Sequence, residues 1–328
     1  MIISSAPIRI CDIGGWTDTW FGSPGRVLHI ACDPRVVVRI EAYEGVAPVM
    51  LHLDTFDESY PFHPSVDRPS RHPLVEAAID TFPPPHGTHV RISIESGVPP
   101  GCGTGTSAAV AVALIGALGA VRGEGRSPRE IAYEAFRLET DVLGLQSGTQ
   151  DQLCAAFGGI NYLRIDPFPD AAVTQLPTWD ELGSNLSLTF LGRAHNSSEV
   201  HDGVIARLDS LAGEPFTLLR RAADAAHDAI MSQNLKAFGQ AMIANTAAQT
   251  NLHPDVIGAD ALALIQSAKT SGALGWKVNG AGGDGGSVTV LFDSPDEKAV
   301  FETNVPDHYV VIPIRIADTG LAVEGAGE

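Results

Sequence analysis

Between His89 and Ile94 apolar and polar residues alternate, so that Val90, Ile92 and Ile94 share one face. That two-residue period is the mark of a strand with one buried side. Pro99 and Pro100 end the ladder. From Ala108 to Val121 the pattern changes to an Ala- and Val-rich run without a charge before Arg122, which predicts a helix buried on all sides. Gly101, Gly103 and Gly105 alternate with small residues between strand and helix, where the backbone can take positive φ and a ligand can approach the main chain. Thr106 and Ser107 are candidate caps for the helix.

Upstream, residues 6–45 read as strands separated by turns, with a β-branched run from Val36 to Ile40. Between them lies Gly14-Gly15-Trp16-Thr17-Asp18, either a solvated turn or a loop that carries ligand contacts. Residues 44–85 mix short β-like runs with a possible helix near Pro73 to Thr81. Ser127, Pro128 and Glu130 form a helix start, and Ile131, Ala135, Leu138 and Val142 fall on one face of the helix it opens. Glu139 sits near the end of that helix, where a carboxylate opposes the dipole and points to a cation partner. Asp151 opens a short apolar helix, a place that an ordinary charge–dipole contact also explains, and Gly158-Gly159 leads into a strand from Ile160 to Ile165.

From Asp166 the composition loosens, with Pro167, Pro169 and Pro177 marking a domain junction. Beyond it the pattern predicts strands at 186–191, 287–292 and 309–314, and helices near 200–211, 215–231, 234–251, 259–270 and 294–302. A second glycine-rich turn, Gly280 to Gly286, precedes the strand at 287.

A chain of 328 residues is long for one core and favours two domains. The net charge of −18 argues against nucleic acid and anionic membrane surfaces, yet leaves room for a local phosphate site served by a divalent cation. Cys11, Cys32, Cys102 and Cys154 form no C-x-x-C pair and read as reduced, mostly buried thiols, Cys102 in a packing role. The start, MIISSAPIRI, lacks the pattern of a signal peptide, and the longest apolar run is about 14 residues, too short to span a bilayer, so a cytoplasmic protein is expected.

The first N–H groups of the helix after the glycine loop lack internal partners and suit a phosphate. No lysine stands in the loop, so it is not a Walker A motif, and the spacing of Gly101, Gly103 and Gly105 departs from the dinucleotide fingerprint. Phosphate charge would then be met by N–H groups, hydroxyls and a metal ion.

Three stretches, APIRICDIGGWTD, PPGCGTGTSAA and KVNGAGGDGGSVTVL, together resemble the GHMP kinases, the family of galactokinase, homoserine kinase, mevalonate kinase and phosphomevalonate kinase. The resemblance implies a two-domain α+β fold. An N-terminal α/β domain over residues 1–166 would carry a left-handed βαβ crossover around the phosphate loop, and a ferredoxin-like domain would cover 167–328. It implies ATP bound by Pro99, Gly101, Gly103, Thr104, Gly105, Thr106, Ser107 and Ala108, and Mg²⁺ held by Ser107 and Glu139. Asp151 resembles the aspartate beside the acceptor hydroxyl and Arg9 the basic residue next to it. Gly15, Trp16, Thr17, Asp18, Gly282 and Gly283 would line the acceptor site, although Asp284 replaces a usual glycine.

Galactokinases place a glutamate and a histidine where this chain has Gly15 and Trp16. The Gly14–Asp18 motif and the QDQ around Asp151 are more similar to the branch of heptose-7-phosphate kinases and fucokinases. That implies a kinase acting on a sugar or sugar phosphate, at the anomeric hydroxyl, with Asp18 accepting from sugar hydroxyls and Trp16 offering an apolar face. A phosphate already on the acceptor would call on Arg26, His29, Arg193, His195 or Lys277. Asn196, Ser197 and Ser198 would bind sugar or cap the next helix. A monomer or homodimer is expected. The competing readings are a kinase of a non-sugar alcohol, a non-catalytic sugar and nucleotide sensor, and a nicotinamide dehydrogenase, the last disfavoured by the loop spacing.

Overall fold

The computed structural model describes residues 1–194, 197–211 and 213–325, with only the backbone of 197 and 198. The N-terminal half runs β1 (Ile2–Ile13), β2 (Gly25–Ala42), β3 (Val49–Leu53), β4 (Glu58–Phe62), α1 (Pro73–Thr81), β5 (Val90–Ser96), α2 (Thr106–Val121), α3 (Pro128–Arg137), α4 (Gln150–Phe157) and β6 (Ile160–Ile165). There follow β7 (Ala171–Leu176), α5 (Asp180–Asn185), β8 (Leu186–Phe190), α6 (Ser197–Ile205), α7 (Leu208–Leu211), α8 (Glu214–Met231), α9 (Leu235–Thr250) and α10 (Ala259–Thr270). The chain closes with β9 (Gly275–Val278), β10 (Ser287–Leu291), α11 (Pro295–Thr303), β11 (Val310–Ile312), β12 (Arg315–Ile316) and β13 (Ala322–Glu324).

The larger sheet has the order β13-β1-β2-β5-β3-β4, with β6 and β12 also on the long strand β2 and β7 on β6. Its parallel pairing joins β3 to β5 across a crossover that contains α1, and the glycine loop leaves from the end of β5. Because β7, β12 and β13 belong to this sheet, it takes strands from both sides of residue 166. The smaller sheet is antiparallel in the order β11-β8-β10-β9, and its strands and helices follow one another as βαββαβ, the ferredoxin-like arrangement.

Helix α2 is buried from Ala108 to Leu118, with Val110 partly buried, between β1, β2 and the helices α1, α3 and α4, which explains its lack of a polar face. A second core fills the opposite side of the large sheet, where α8 and α9 pack on Ile8, Ile10, Leu28 and Ile30. The site lies where the two units meet.

Three local departures from the sequence pattern have simple causes. Helix α2 is capped by Gly105 at φ 65 with no side-chain cap, so Thr106 and Ser107 stand inside the first turn instead of capping it. Leu138–Val142 forms a π-helical turn, whose extra residue rotates Val142 away from the face of Ile131 and Ala135 and leaves it 54% exposed. The helix expected over 200–211 is divided into α6 and α7. The box at Ser127 forms as expected, with Ser127 Oγ accepting from Glu130 N–H and Glu130 accepting from Ser127 N–H.

Candidate active site

A cavity of about 400 Å³ lies between the two units, and its lining includes Arg9, Asp12, Trp16, Asp18, residues 101–107, Glu139, residues 145–148, Gln150, Asp151, His201, Gly280 and Ala281. No helix in the described residues is long and apolar enough to cross a membrane.

Arg9 is the hinge of the arrangement. Its side chain is buried, which a guanidinium tolerates only when its donors are met. Nε donates to Asp151 Oδ1 at 2.7 Å and Nη2 to Asp151 Oδ2 at 3.1 Å, a two-pronged contact. Nη1 donates to the Gly103 carbonyl at 2.6 Å, and the Arg9 backbone N–H to Thr104 O at 2.9 Å. Strand β1, the glycine loop and α4 are thereby tied to one side chain. Asp151 stays 27% exposed toward the cavity, so part of its carboxylate is accessible to a ligand.

Gly101, Gly103 and Gly105 take φ values of 69, 75 and 65, the left-handed conformations that their alternation predicts. At Gly105 a Cβ would also come within 3.2 Å of Asp151 and 3.1 Å of Arg9, so the position admits little more than hydrogen. Ser107 is exposed at the first turn of α2 and faces the cavity, while Pro99 and Ala108 flank the loop without lining it.

Glu139 sits in the π-helical turn, 7% exposed, and burial lifts its carboxyl to about 7. Oε2 accepts from Ser147 Oγ at 2.6 Å and from Gln152 Nε2 at 2.9 Å, whereas Oε1 has no partner. A buried carboxylate oxygen without a donor fits a cation ligand, because a positive ion would both satisfy the oxygen and restore the charged form.

Asp18 is also buried, and burial with the nearby Asp151 charge lifts it to about 7. It accepts from Gln150 N–H at 3.2 Å, and Gly148 packs so closely that a Cβ there would lie 1.9 Å from Asp18 Oδ2. Trp16 holds φ 77, a conformation that costs a bulky residue about 1–3 kcal/mol, and its buried indole N–H has no partner. Of the remaining first-motif residues, Thr17 turns inward, where its hydroxyl donates to Gly14 O at 2.6 Å, and Gly15 packs against Asp12 and Gln150. Both support the turn and neither lines the cavity.

The third motif meets the site through Gly280 and Ala281, while Gly282 and Gly283 turn to Val256, whose carbonyl accepts from Gly283 N–H at 2.8 Å. A Cβ on Gly280 would lie 2.9 Å from Gly103 O, so glycine lets the two loops touch. This junction rests on buried groups, of which the sequence pattern singles out Lys277 alone, and for a different role. Asp12, in the β1 bulge, accepts from Lys277 Nζ at 3.1 Å and from Gly280 N–H at 3.2 Å. Asn279 accepts from Cys11 N–H at 3.2 Å, and Asn245 of α9 accepts from Gly14 N–H at 2.6 Å. Their sign in the sequence is faint: Lys277 and Asn279 stand at the edge of the glycine-rich turn and Asn245 inside a helix, with nothing local to mark their partners.

The cations expected to meet an acceptor phosphate are placed elsewhere. Lys277 is fully buried on Asp12, and His29 is fully buried with burial pushing its ring down to about 3, so neither reaches the cavity. Arg26 pairs with Asp224 and Arg193 with Asp260, both outside the lining. His195, Asn196 and the side chains of Ser197 and Ser198 lie outside the described residues.

The model of the GHMP kinases N terminal domain matches residues 73–159, which hold α1, the glycine loop, Glu139 and Asp151. The mevalonate kinase of Thermococcus sibiricus is 31% identical over 246 residues, 72% of this chain and 69% of that protein. The mevalonate kinase of Methanothermobacter thermautotrophicus is 30% identical over 200 residues, 60% of this chain and 62% of its own length. Among solved structures, a D-glycero-D-manno-heptose 1-phosphate kinase from Bacteroides thetaiotaomicron superimposes over the whole of both chains with a TM-score of 0.80 at 20% identity.

Fold and relatives define a small-molecule kinase, an enzyme that phosphorylates a hydroxyl group. The chain belongs to the GHMP kinase family, whose members draw the phosphoryl group from ATP.

Proposed function

We propose that this kinase transfers the γ-phosphoryl group of ATP to a hydroxyl of a sugar, with Asp151 as the residue that takes the hydroxyl proton. The observation that carries the reading is the two-pronged Arg9–Asp151 contact at the wall of a cavity that also holds the glycine loop and Asp18. Phosphoryl transfer is catalysed mainly by positioning and by neutralising charge. Arg9 does both for Asp151: it fixes the carboxylate plane and keeps its charge balanced away from water. The N–H groups at the start of α2 face the phosphates, helped by the Thr106 and Ser107 hydroxyls.

Mg²⁺ would be held by Glu139 and Ser107 together with phosphate oxygens, and supplies charge neutralisation when bound. The unpartnered Glu139 Oε1 supports this set.

The acceptor is inferred from charge. Among the described lining residues, Asp18, Glu139 and Asp151 face a single guanidinium, that of Arg9, already engaged by Asp151, while Asp12 is paired with the buried Lys277. Such a wall suits a neutral polyol that donates hydrogen bonds, and Asp18 is the acceptor placed to receive them. The finer form of the proposal, phosphorylation at the anomeric hydroxyl, rests on the likeness of Gly14–Asp18 and Gln150–Gln152 to the heptose and fucose kinases.

Mevalonate is the second reading, favoured by the names of the relatives at 30–31% identity. Its carboxylate would have to sit among these acids. An ADP-release screen of neutral sugars, sugar phosphates and mevalonate separates the two, with ³¹P NMR of the product identifying the phosphorylated position.

A further inference from the structure

We infer that Gln152, acting with Ser147, is a positioning residue for the proposed cation ligand Glu139: the pair fixes which carboxylate oxygen is left for the ion and so sets the affinity of the kinase for its divalent metal. This rests on the kinase reading above and on its assignment of Mg²⁺ to Glu139. Gln152 follows the proposed base Asp151 in α4, yet it is only 1% exposed and is not part of the cavity lining. Its part in the site is therefore played through other side chains.

Two donors and one carboxylate oxygen form a closed triangle. Ser147 Oγ donates to Glu139 Oε2 at 2.6 Å, a shorter contact than its 3.1 Å approach to the Gly148 carbonyl. Gln152 Nε2 donates to the same Oε2 at 2.9 Å and to Ser147 Oγ at 3.3 Å. A hydroxyl has one proton to give and two lone pairs, and an amide nitrogen has two protons, so all three bonds are satisfied at once. Both donors converge on Oε2, and Oε1 alone is without a partner. The last torsion of a glutamate is soft and roughly two-fold, so without these donors either oxygen could turn toward the ion.

The backbone keeps the triangle in place. Leu145 N–H donates to the Glu139 carbonyl at 2.9 Å, which folds the loop that carries Ser147 back over the π-helical turn. Among the described residues the Gln152 amide bonds only to Glu139 and Ser147, and its own buried Oε1 is left unmet. Packing alone would favour an apolar side chain of that size, because a buried amide short of partners is destabilising. Since Asp151 and Gln152 are consecutive in α4, one short helix orients the base and the cation ligand together.

Binding of Mn²⁺ to the full chain in the presence of a non-hydrolysable ATP analogue, followed by electron paramagnetic resonance, reads the metal affinity without turnover. Gln152→Met keeps the volume, removes the donor, and is expected to weaken Mn²⁺ binding about tenfold or more, as loss of an outer-shell partner does. Ser147→Ala is expected to act in the same direction, and Ser147→Thr, which keeps the hydroxyl, to recover most of the loss. In a Glu139→Gln background, Gln152→Met is expected to add less than about twofold, because the ligand it orients is already gone. A role in helix packing alone would lower the melting temperature and leave the Mn²⁺ constant of the folded protein as it is. Ser147→Ala and Ser147→Thr carry the test should Gln152→Met not fold. Unchanged Mn²⁺ binding in the folded Gln152 and Ser147 variants, with Glu139→Gln weakened, overturns the inference and leaves the metal reading standing. Mn²⁺ binding that Glu139→Gln does not alter overturns the metal reading, and the inference with it.

Discussion

Arg9 and Asp151 stand 142 positions apart in the chain, yet they meet through two parallel hydrogen bonds of 2.7 and 3.1 Å. The same guanidinium holds the Gly103 carbonyl, so the orientation of the aspartate and the shape of the glycine loop are set together. Asp151→Asn keeps the shape and removes the proposed base. Its kcat is expected to fall by about 10²–10⁴ with ATP affinity unchanged by calorimetry. Near-normal turnover would take Asp151 out of the mechanism. Arg9→Lys is expected to lower kcat as well, because an ammonium does not reproduce the fork.

Glu139→Gln tests the proposed cation site. Removing the charge is expected to raise the Mg²⁺ concentration for half-maximal rate about tenfold or more, and to leave the metal-free protein at least as stable, since a buried unpaired oxygen is neutralised. An unaltered Mg²⁺ dependence would assign the ion to other ligands.

Asp18 makes stability depend on pH in a defined direction. Its carboxyl is raised from 3.8 to about 7 in the fold, chiefly by burial. A raised value favours the protonated form, so the contribution to stability is complete below the unfolded value of 3.8 and is lost as pH rises through about 7. Thermal melts of the ligand-free protein at pH 5 and pH 8, with Asp18→Asn beside it, check this. The variant is expected to gain stability relative to the parent at pH 8 and to lose acceptor affinity. Equal pH dependence in both proteins would contradict the assignment.

The buried Lys277–Asp12 pair is a structural tie between the third motif and β1. Lys277→Met leaves Asp12 short of a partner and is expected to cost about 3–5 kcal/mol in chemical denaturation. A loss of acceptor affinity without a loss of stability would instead return Lys277 to the role of a phosphate-binding cation.

How much of the fold and site is legible in the sequence depends on how local the signal is. The glycine spacing at 101–105 and the box at Ser127 are short-range statements about φ and caps, and both appear in the fold. The strand Ile160–Ile165 and the helix Ala259–Thr270 likewise match their patterns. The cap of α2 departs from the pattern because a left-handed Gly105 stands where a hydroxyl is expected. Val142 leaves its expected face because a π-helical turn breaks the 3.6-residue period.

Lys277 and His29 read as cations near a cleft, but strand alternation over a two-sided core buries them, a fact of tertiary packing that their own segments do not carry. Asn245 and Asn279 escape a sequence reading for the opposite reason: one is an amide inside a helix and the other stands at the edge of the glycine-rich turn, and the partner of each, Gly14 or Cys11, lies more than 200 residues away. His201 emerges only from the packing of α6 against Trp16.

The central claim is that the cavity between the units phosphorylates a neutral sugar hydroxyl with Asp151 as base. ADP release measured across neutral sugars, sugar phosphates and mevalonate, with ³¹P NMR on the product and Asp151→Asn as the control, tests it most directly. The account predicts turnover of a sugar, a product phosphorus signal coupled to the anomeric proton, and loss of both in the variant. Turnover of mevalonate alone, or sugar turnover undiminished in Asp151→Asn, would contradict it.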